Sequence, residues 1–277
     1  MSEIGCKHTP SRLSCRAVFG VGLTKDLQLA AHGAGIDIKL ASFGLPPFHL
    51  NHASSYLVNI VNMSLPSAAQ SYLSLIATRR STYTLAKEPS ILNVDQIRSI
   101  LSSILEHSPS SFNCKSPRLV LLLGADHDEY WGTTIPNALT SILKSHGADD
   151  EAIKGATGRL AMFKPAFGTV VFFESNAVVE EQQKNMPQYK DNFPIWSEHA
   201  TGIIQTNAWS ALTNAGYGAN LQHYANLGEQ ALKEKYNLPK DWKPKAELVF
   251  GAKTAEPQPK EYNAEQENKN RLHVFGA

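Results

Sequence analysis

Beyond residue 62 the apolar positions fall into two kinds of run, some at helical spacing and some continuous. Ser67–Thr78 carries Ala69, Tyr72, Leu73 and Ile76 at helical spacing, with Pro66 at the start, where a missing N–H costs little. Asn93 is placed to cap a second helix whose buried stripe is Val94, Ile97, Ile100, Leu101 and Leu105, and Pro109 stops it. Arg118–Gly124 is a short apolar run ending in glycine, the pattern of a central strand buried on both faces. Asp126–Glu129 and Asp149–Glu151 each open a helix with acids at its positive end. Gly168–Glu174 reads as a second core strand, followed by a short helix through about Asn185. Trp196–Ala215 is long, apolar on one face and free of proline, which predicts the central helix; Glu247–Gly251 is a third strand. The tail from Thr254 is polar until Arg271–Gly276, an apolar ending that indicates a docking arm. Strands separated by pairs of helices indicate an α+β layered domain, and the residues from Met63 fit one such domain.

The first part of the chain does not share this pattern. Residues 1–62 hold five basic and three acidic groups, a net of +2, whereas 63–277 has a net of −1. Gly20–Val21–Gly22, Gly33–Ala34–Gly35 and Gly44–Leu45–Pro46–Pro47 interrupt it, which argues for loop or weak structure. Two arginines are few for a mitochondrial transit peptide, and the apolar run of a secretory signal is missing. Met63–Ser64–Leu65–Pro66 leads straight into a helix, which favours an N-terminal extension over 1–62 before a domain over 63–277. His49 and His52 have metal-ligand spacing but no partner cluster, and read as two solvated loop histidines. The whole chain has a net charge of +1 and no apolar stretch of membrane-spanning length, so neither nucleic acid nor a membrane is an expected partner. Three cysteines are too few for a disulfide scaffold or a four-cysteine zinc site. Cytoplasmic location is expected, with a nuclear pool as the alternative, or mitochondrial if 1–62 is a transit peptide.

Three segments carry candidate chemistry. Arg79–Arg80–Ser81 joins two guanidinium forks to a hydroxyl, a set suited to a phosphate; the plainer reading is a pair of cations at a helix C-terminus. Ser108–Pro109–Ser110–Ser111–Phe112–Asn113 is a polar loop before a strand, able to offer donors and acceptors to a flat heterocycle, or simple turn chemistry. In Gly216–Tyr217–Gly218–Ala219–Asn220–Leu221–Gln222–His223–Tyr224 two glycines allow close backbone approach to a ligand. It follows a helix and lacks a third glycine, so it is not a dinucleotide fingerprint. His223 reads as an acid or base, or as a hydrogen-bonded core histidine. Asp126–His127–Asp128 looks like a metal cluster, but the helix start explains its acids better; no metal is expected. Cys114 has no activating base nearby and reads as buried.

Together and in this order, these pieces resemble the FMN-dependent nitroreductase family. Arg79–Arg80–Ser81 with Tyr83 and Leu85, the Ser110–Ser111–Phe112–Asn113 loop, Trp196–Gly202, Ala219–Tyr224 and Leu248–Val249–Phe250–Gly251 carry the resemblance, closest to the fatty-acid-repression-mutant branch. It covers about Ser64 to the C-terminus. It implies an α+β three-layer sandwich with a mainly antiparallel central sheet flanked by helices, forming a homodimer with two FMN molecules at the interface. Arg79, Arg80 and Ser81 match the phosphate and ribityl contacts. Ser110, Ser111 and Asn113 match a loop supplied by the other subunit against the flavin. The turn of Gly216, Gly218 and Ala219 would bring backbone amides to the reactive ring edge, and Arg271 would close on the phosphate from the C-terminal arm. Tyr83 stands where many members carry another arginine, and other members have a longer active-site insertion, so substrate range does not transfer from them. The implied activity is ping-pong reduction of electron-poor nitroaromatic or quinone-type acceptors by NAD(P)H. The rivals are a non-catalytic flavin- or ligand-binding regulator in lipid or redox homeostasis and an interaction protein using the basic extension.

Overall fold

The computed structural model describes residues 4–9, 12–19, 23–32, 35–38, 65–257, 259 and 261–276, with backbone alone before residue 65. The chain divides into two units at Ser64/Leu65. In the first, β1 (Ile4–Thr9), β2 (Arg12–Phe19), β3 (Leu23–His32) and β4 (Gly35–Ile38) pair in sequence order, all antiparallel. Glycine punctuation pointed to loop here. Four strands of the described residues stand in that stretch instead. His49 and His52 lie outside the described residues.

The second unit begins with α1 (Ser67–Thr78), β5 (Leu85–Ala86) and α2 (Val94–His107). Next come β6 (Pro117–Leu123), α3 (Gly124–Glu129), α4 (Ile135–Ser145), α5 (Asp150–Leu160) and β7 (Gly168–Ser175). It closes with α6 (Asn176–Asn185), α7 (Phe193–Asn214), β8 (Gly218–Gln222), α8 (Glu229–Tyr236), β9 (Trp242–Lys253) and α9 (Ala264–Asn268). The strands form one sheet in the order β5-β9-β7-β6, with β8 also on β9, and every strand pair is antiparallel. Gly251 permits this crowding on β9: a Cβ there would sit 2.6 Å from the Ala86 carbonyl oxygen and 2.9 Å from the Phe167 nitrogen.

Strand alternation sends β7 and β9 side chains to two separate cores. Val171, Phe173 and Val249 pack with Trp131, Ile135 and Leu160 of the α3–α5 layer. Val170, Phe172, Leu248 and Phe250 pack with Ile97 and Leu101 of α2 and with Ile204, Ala208 and Leu212 of α7. Two apolar faces covered by helices make the three-layer α+β sandwich.

Three expectations change. The Arg118–Gly124 run is not a central strand: β6 is an edge, and β7 and β9 are the buried centre. Of the stripe assigned to α2, Ile97 and Leu101 are buried and Ile100 partly so, but Val94 and Leu105 are exposed. On α1, Tyr72, Leu73, Leu75 and Ile76 are all exposed, so this helix has no buried residue in a single chain.

Candidate functional site

The C-terminal ends of α1 and α7 are tied together. Thr78 Oγ1 donates to Asn214 Oδ1 (2.9 Å), and Asn214 Nδ2 donates to the Leu75 carbonyl (3.2 Å). Gly216, at φ +111°, turns the chain out of α7, a conformation that favours glycine. The strand that follows meets the residues after α1. The Thr82 N–H donates to the Ala219 carbonyl (2.9 Å), Asn220 Nδ2 donates to the Thr82 carbonyl (2.8 Å), and Ser81 bridges Ala219 in parallel. Arg79, Arg80, Ser81, Gly216, Gly218 and Ala219 are therefore brought to one edge of the unit.

Within that edge the glycine turn differs from its sequence reading. Only Gly216 is exposed; Gly218 and Ala219 are buried strand residues paired with Gly251 and Phe250 of β9. A Cβ on Gly218 would meet Leu85 and Lys253 side-chain atoms at 2.7 Å, so the protein itself uses that space. Arg79 Cζ stacks 4.4 Å from the centroid of the Trp209 ring. Trp209 Nε1 and Thr213 Oγ1, one turn apart on α7, are buried with no hydrogen-bond partner among the described residues. Two guanidinium groups, a hydroxyl and an orphaned indole N–H form a donor set that fits an anionic, phosphate-bearing ligand.

Ser110, Ser111 and Asn113 stand elsewhere. Ser111–Asn113 is a 3-10 turn in which Phe112 has φ +51° and Asn113 φ +53°, with Lys115 at φ +55°. Left-handed backbone costs a residue with a Cβ roughly 1–2 kcal/mol. Ser110 Oγ accepts from the Lys115 N–H (2.9 Å), and Arg118 Nη1 donates to the Lys115, Ser116 and Pro117 carbonyls (2.7, 3.1 and 3.0 Å), which pins the loop. Phe112 packs against Trp196 of α7, thirteen residues before the Trp209 that holds Arg79. At 1.5 Å rise per residue that is about 20 Å along the helix. The start of the loop is tied nearer, Asn207 Nδ2 of α7 donating to Ser108 Oγ (2.9 Å). Arg271 is anchored on its own arm, donating to the Tyr262 hydroxyl (3.2 Å) and, through its backbone N–H, to the Asn268 carbonyl (2.9 Å). The apolar ending is exposed there, Phe275 to 90%.

The core histidine is His127, and His223 is exposed. His127 Nε2 lies 3.1 Å from the Phe163 carbonyl and Nδ1 lies 3.0 Å from Thr169 Oγ1, which accepts from Trp131 Nε1 (2.8 Å). A carbonyl only accepts, so Nε2 carries the proton and Nδ1 accepts from the threonine. Burial holds the ring's pKa below its ordinary value. Its acidic neighbours are ion-paired: Asp128 with Lys87 (2.6 Å), and Asp126 with Lys235 (2.9 Å) and the Tyr236 hydroxyl (2.8 Å). No cluster that could hold a metal ion occurs among the described residues.

Glu247 is buried, accepting from the Tyr130 hydroxyl (2.9 Å) and the Tyr224 N–H (3.0 Å). Burial pushes its pKa up to about 7 against those bonds. Glu174, also buried and bonded to the Thr201 hydroxyl, is raised for the same reason. Neither carboxyl was found by sequence reasoning; the signal was a glutamate inside each apolar strand run. Cys114 is partly buried, its Sγ 3.7 Å from Ser116 Oγ.

This sandwich, with its anion-suited edge, defines a three-layer α+β class. The sequence model of the nitroreductase family matches residues 76–252. HBN1 of Saccharomyces cerevisiae is 33% identical over 76% of this chain and 99% of its own length. The nitroreductase FRM2 of the same yeast is 31% identical over 71% of this chain and 95% of its own. Among solved structures, nitroreductase CinD from Lactococcus lactis in complex with chloramphenicol has a TM-score of 0.66 at 33% identity, covering 74% of this chain and 99% of that one; CinD also has a complex with 4-nitrophenol. A nitroreductase with bound FMN from Desulfitobacterium hafniense shares the fold, with a TM-score of 0.52 at 16% identity over 73% of this chain and 97% of that one. The chain belongs to the nitroreductase family and is an oxidoreductase.

Proposed function

We propose that this chain is an FMN-dependent oxidoreductase that takes electrons from NAD(P)H and passes them to nitroaromatic or quinone-type acceptors in a ping-pong cycle, as a homodimer. When bound, FMN supplies reversible hydride and electron transfer; the side chains bind it, orient it and exclude water. Arg79 and Arg80 hold the phosphate, Ser81 adds a hydroxyl donor, and Arg271 of the C-terminal arm closes over it. The Gly216 turn lets backbone approach the ring edge.

The observation that carries this reading is the Thr82–Ala219 hydrogen bond, which sets the Arg79–Ser81 cations and hydroxyl beside the α7–β8 turn. Two further observations support a second copy. Phe112, between Ser111 and Asn113, packs against Trp196, about 20 Å along α7 from the Trp209 beneath Arg79. The exposed Tyr72, Leu73, Leu75 and Ile76 of α1 are an apolar face of the kind that marks a protein interface. The chloramphenicol and 4-nitrophenol complexes of CinD support the nitroaromatic class of acceptor.

Steady NAD(P)H consumption by the purified protein with a nitroaromatic acceptor tests the proposal. A flavin-loaded protein that consumes none is the non-catalytic binding regulator instead.

A further inference from the structure

Phe112 is held where phenylalanine resists standing. Its φ of +51° is enforced from both sides, by Ser110 Oγ on the Lys115 N–H and by the Arg118 guanidinium on three successive carbonyls. The ring so positioned is not put away: it is 57% exposed. It stands 5.8 Å from Tyr189, 5.7 Å from Phe193 and 6.0 Å from Trp196, tilted by 33–51° to them. Phe193 is buried and forms the floor; Phe112, the 40% exposed Tyr189 and the half-buried Trp196 form the rim. A strained backbone over-determined by its surroundings, with an aromatic ring displayed on it, points to a contact made with a ligand.

We infer that Phe112, with Tyr189 and Trp196, is an aromatic wall that selects flat, electron-poor aromatic acceptors, and that Phe112 is the specificity-determining residue of the loop. This rests on the reading above, in which the Ser110–Asn113 loop faces the flavin held by a second copy. Aromatic faces carry negative charge density, and a ring drained by nitro or carbonyl groups presents the opposite sign, so the two attract when stacked with offset. An acceptor with no ring gains nothing from the wall.

The test compares wild type with Phe112→Leu, which keeps apolar bulk and the same backbone strain but removes the π face. The readout is the ratio of kcat/KM for 4-nitrobenzoate to kcat/KM for ferricyanide, beside flavin content and elution volume. The ratio falls roughly five- to tenfold in Phe112→Leu, mainly through KM for the nitroaromatic, the scale of one aromatic pair. Phe112→Gly, free of the strain, shows the same fall with a Tm equal to or above wild type, a combination that a merely structural ring does not produce. A flavin-loaded Phe112→Leu dimer whose ratio stays within twofold of wild type overturns the wall alone. A variant that elutes as a monomer where wild type is a dimer assigns the rings to subunit contact and overturns it too. A wild-type protein without flavin overturns the functional reading on which the wall rests.

Discussion

Arg79 sits over the Trp209 ring, its Cζ 4.4 Å from the centroid. Stacking fixes a guanidinium plane while leaving its edge N–H groups to bond an anion. Arg79→Ala or Arg80→Ala is expected to weaken FMN binding by about 1.5–3 kcal/mol per charged hydrogen bond lost. Trp209→Leu leaves the charge and removes its platform, so a smaller loss follows, about 0.5–1 kcal/mol. Flavin fluorescence titration checks all three, and unchanged affinity in both arginine variants refutes the phosphate role.

Leu73 sits on the exposed apolar face of α1. If a second copy covers that face, Leu73→Asp buries an unpaired carboxylate in the contact, a penalty of several kcal/mol. The variant should elute as a monomer by light scattering, with its far-UV spectrum intact and its flavin lost. A Leu73→Asp dimer that retains flavin places the contact elsewhere.

Glu247 sets a pH dependence. Its folded pKa of about 7 lies above the ordinary carboxylate value, so the folded state holds its proton longer than the unfolded chain. The stability this provides is complete below about pH 4.3 and is lost as pH rises through about 7. Glu247→Gln has no such slope. Thermal melts at pH 5 and pH 8 should show wild type losing roughly 2–4 kcal/mol relative to Glu247→Gln across that interval. Parallel pH profiles contradict the assignment.

His127 gives the opposite slope. Its depressed pKa means the unfolded chain takes up a proton first, so its contribution is present above about pH 6.5 and is lost as pH falls below it. His127→Gln should be less stable at pH 7 by about 1–3 kcal/mol, because Thr169 and Phe163 lose their ring partner, and should lack the acid slope. NMR titration of the ring reads the same quantity: a charged imidazole at pH 7 contradicts the neutral Nε2–H form.

The elements most legible in the sequence are those whose signal is local. Asn93 caps α2 through a reciprocal capping box with Gln96, and Gly168–Ser175 is buried at every position, as its continuous apolar run predicts. What the pattern does not carry is which surface covers an apolar stripe. The same helical spacing that buries Ile97 and Leu101 leaves Tyr72 and Ile76 exposed. Strand order is equally hidden: the run at Arg118 looks central, but only pairing with β7 on one side makes it an edge. Of the candidate site, Arg79–Ser81 and the Gly216 turn were legible as separate pieces, and the long-range Ser81–Ala219 bridge joins them. His223, read as a core histidine or an acid or base, is exposed and His127 is buried, because burial of a histidine depends on the threonine and tryptophan that meet it, not on its own neighbours in sequence.

The absorbance spectrum of the purified full-length protein tests the central claim most directly. The account predicts a yellow protein with flavin bands, about one FMN per chain, bleached anaerobically by NAD(P)H and restored by a nitroaromatic acceptor. A colourless protein that takes up no added FMN contradicts it.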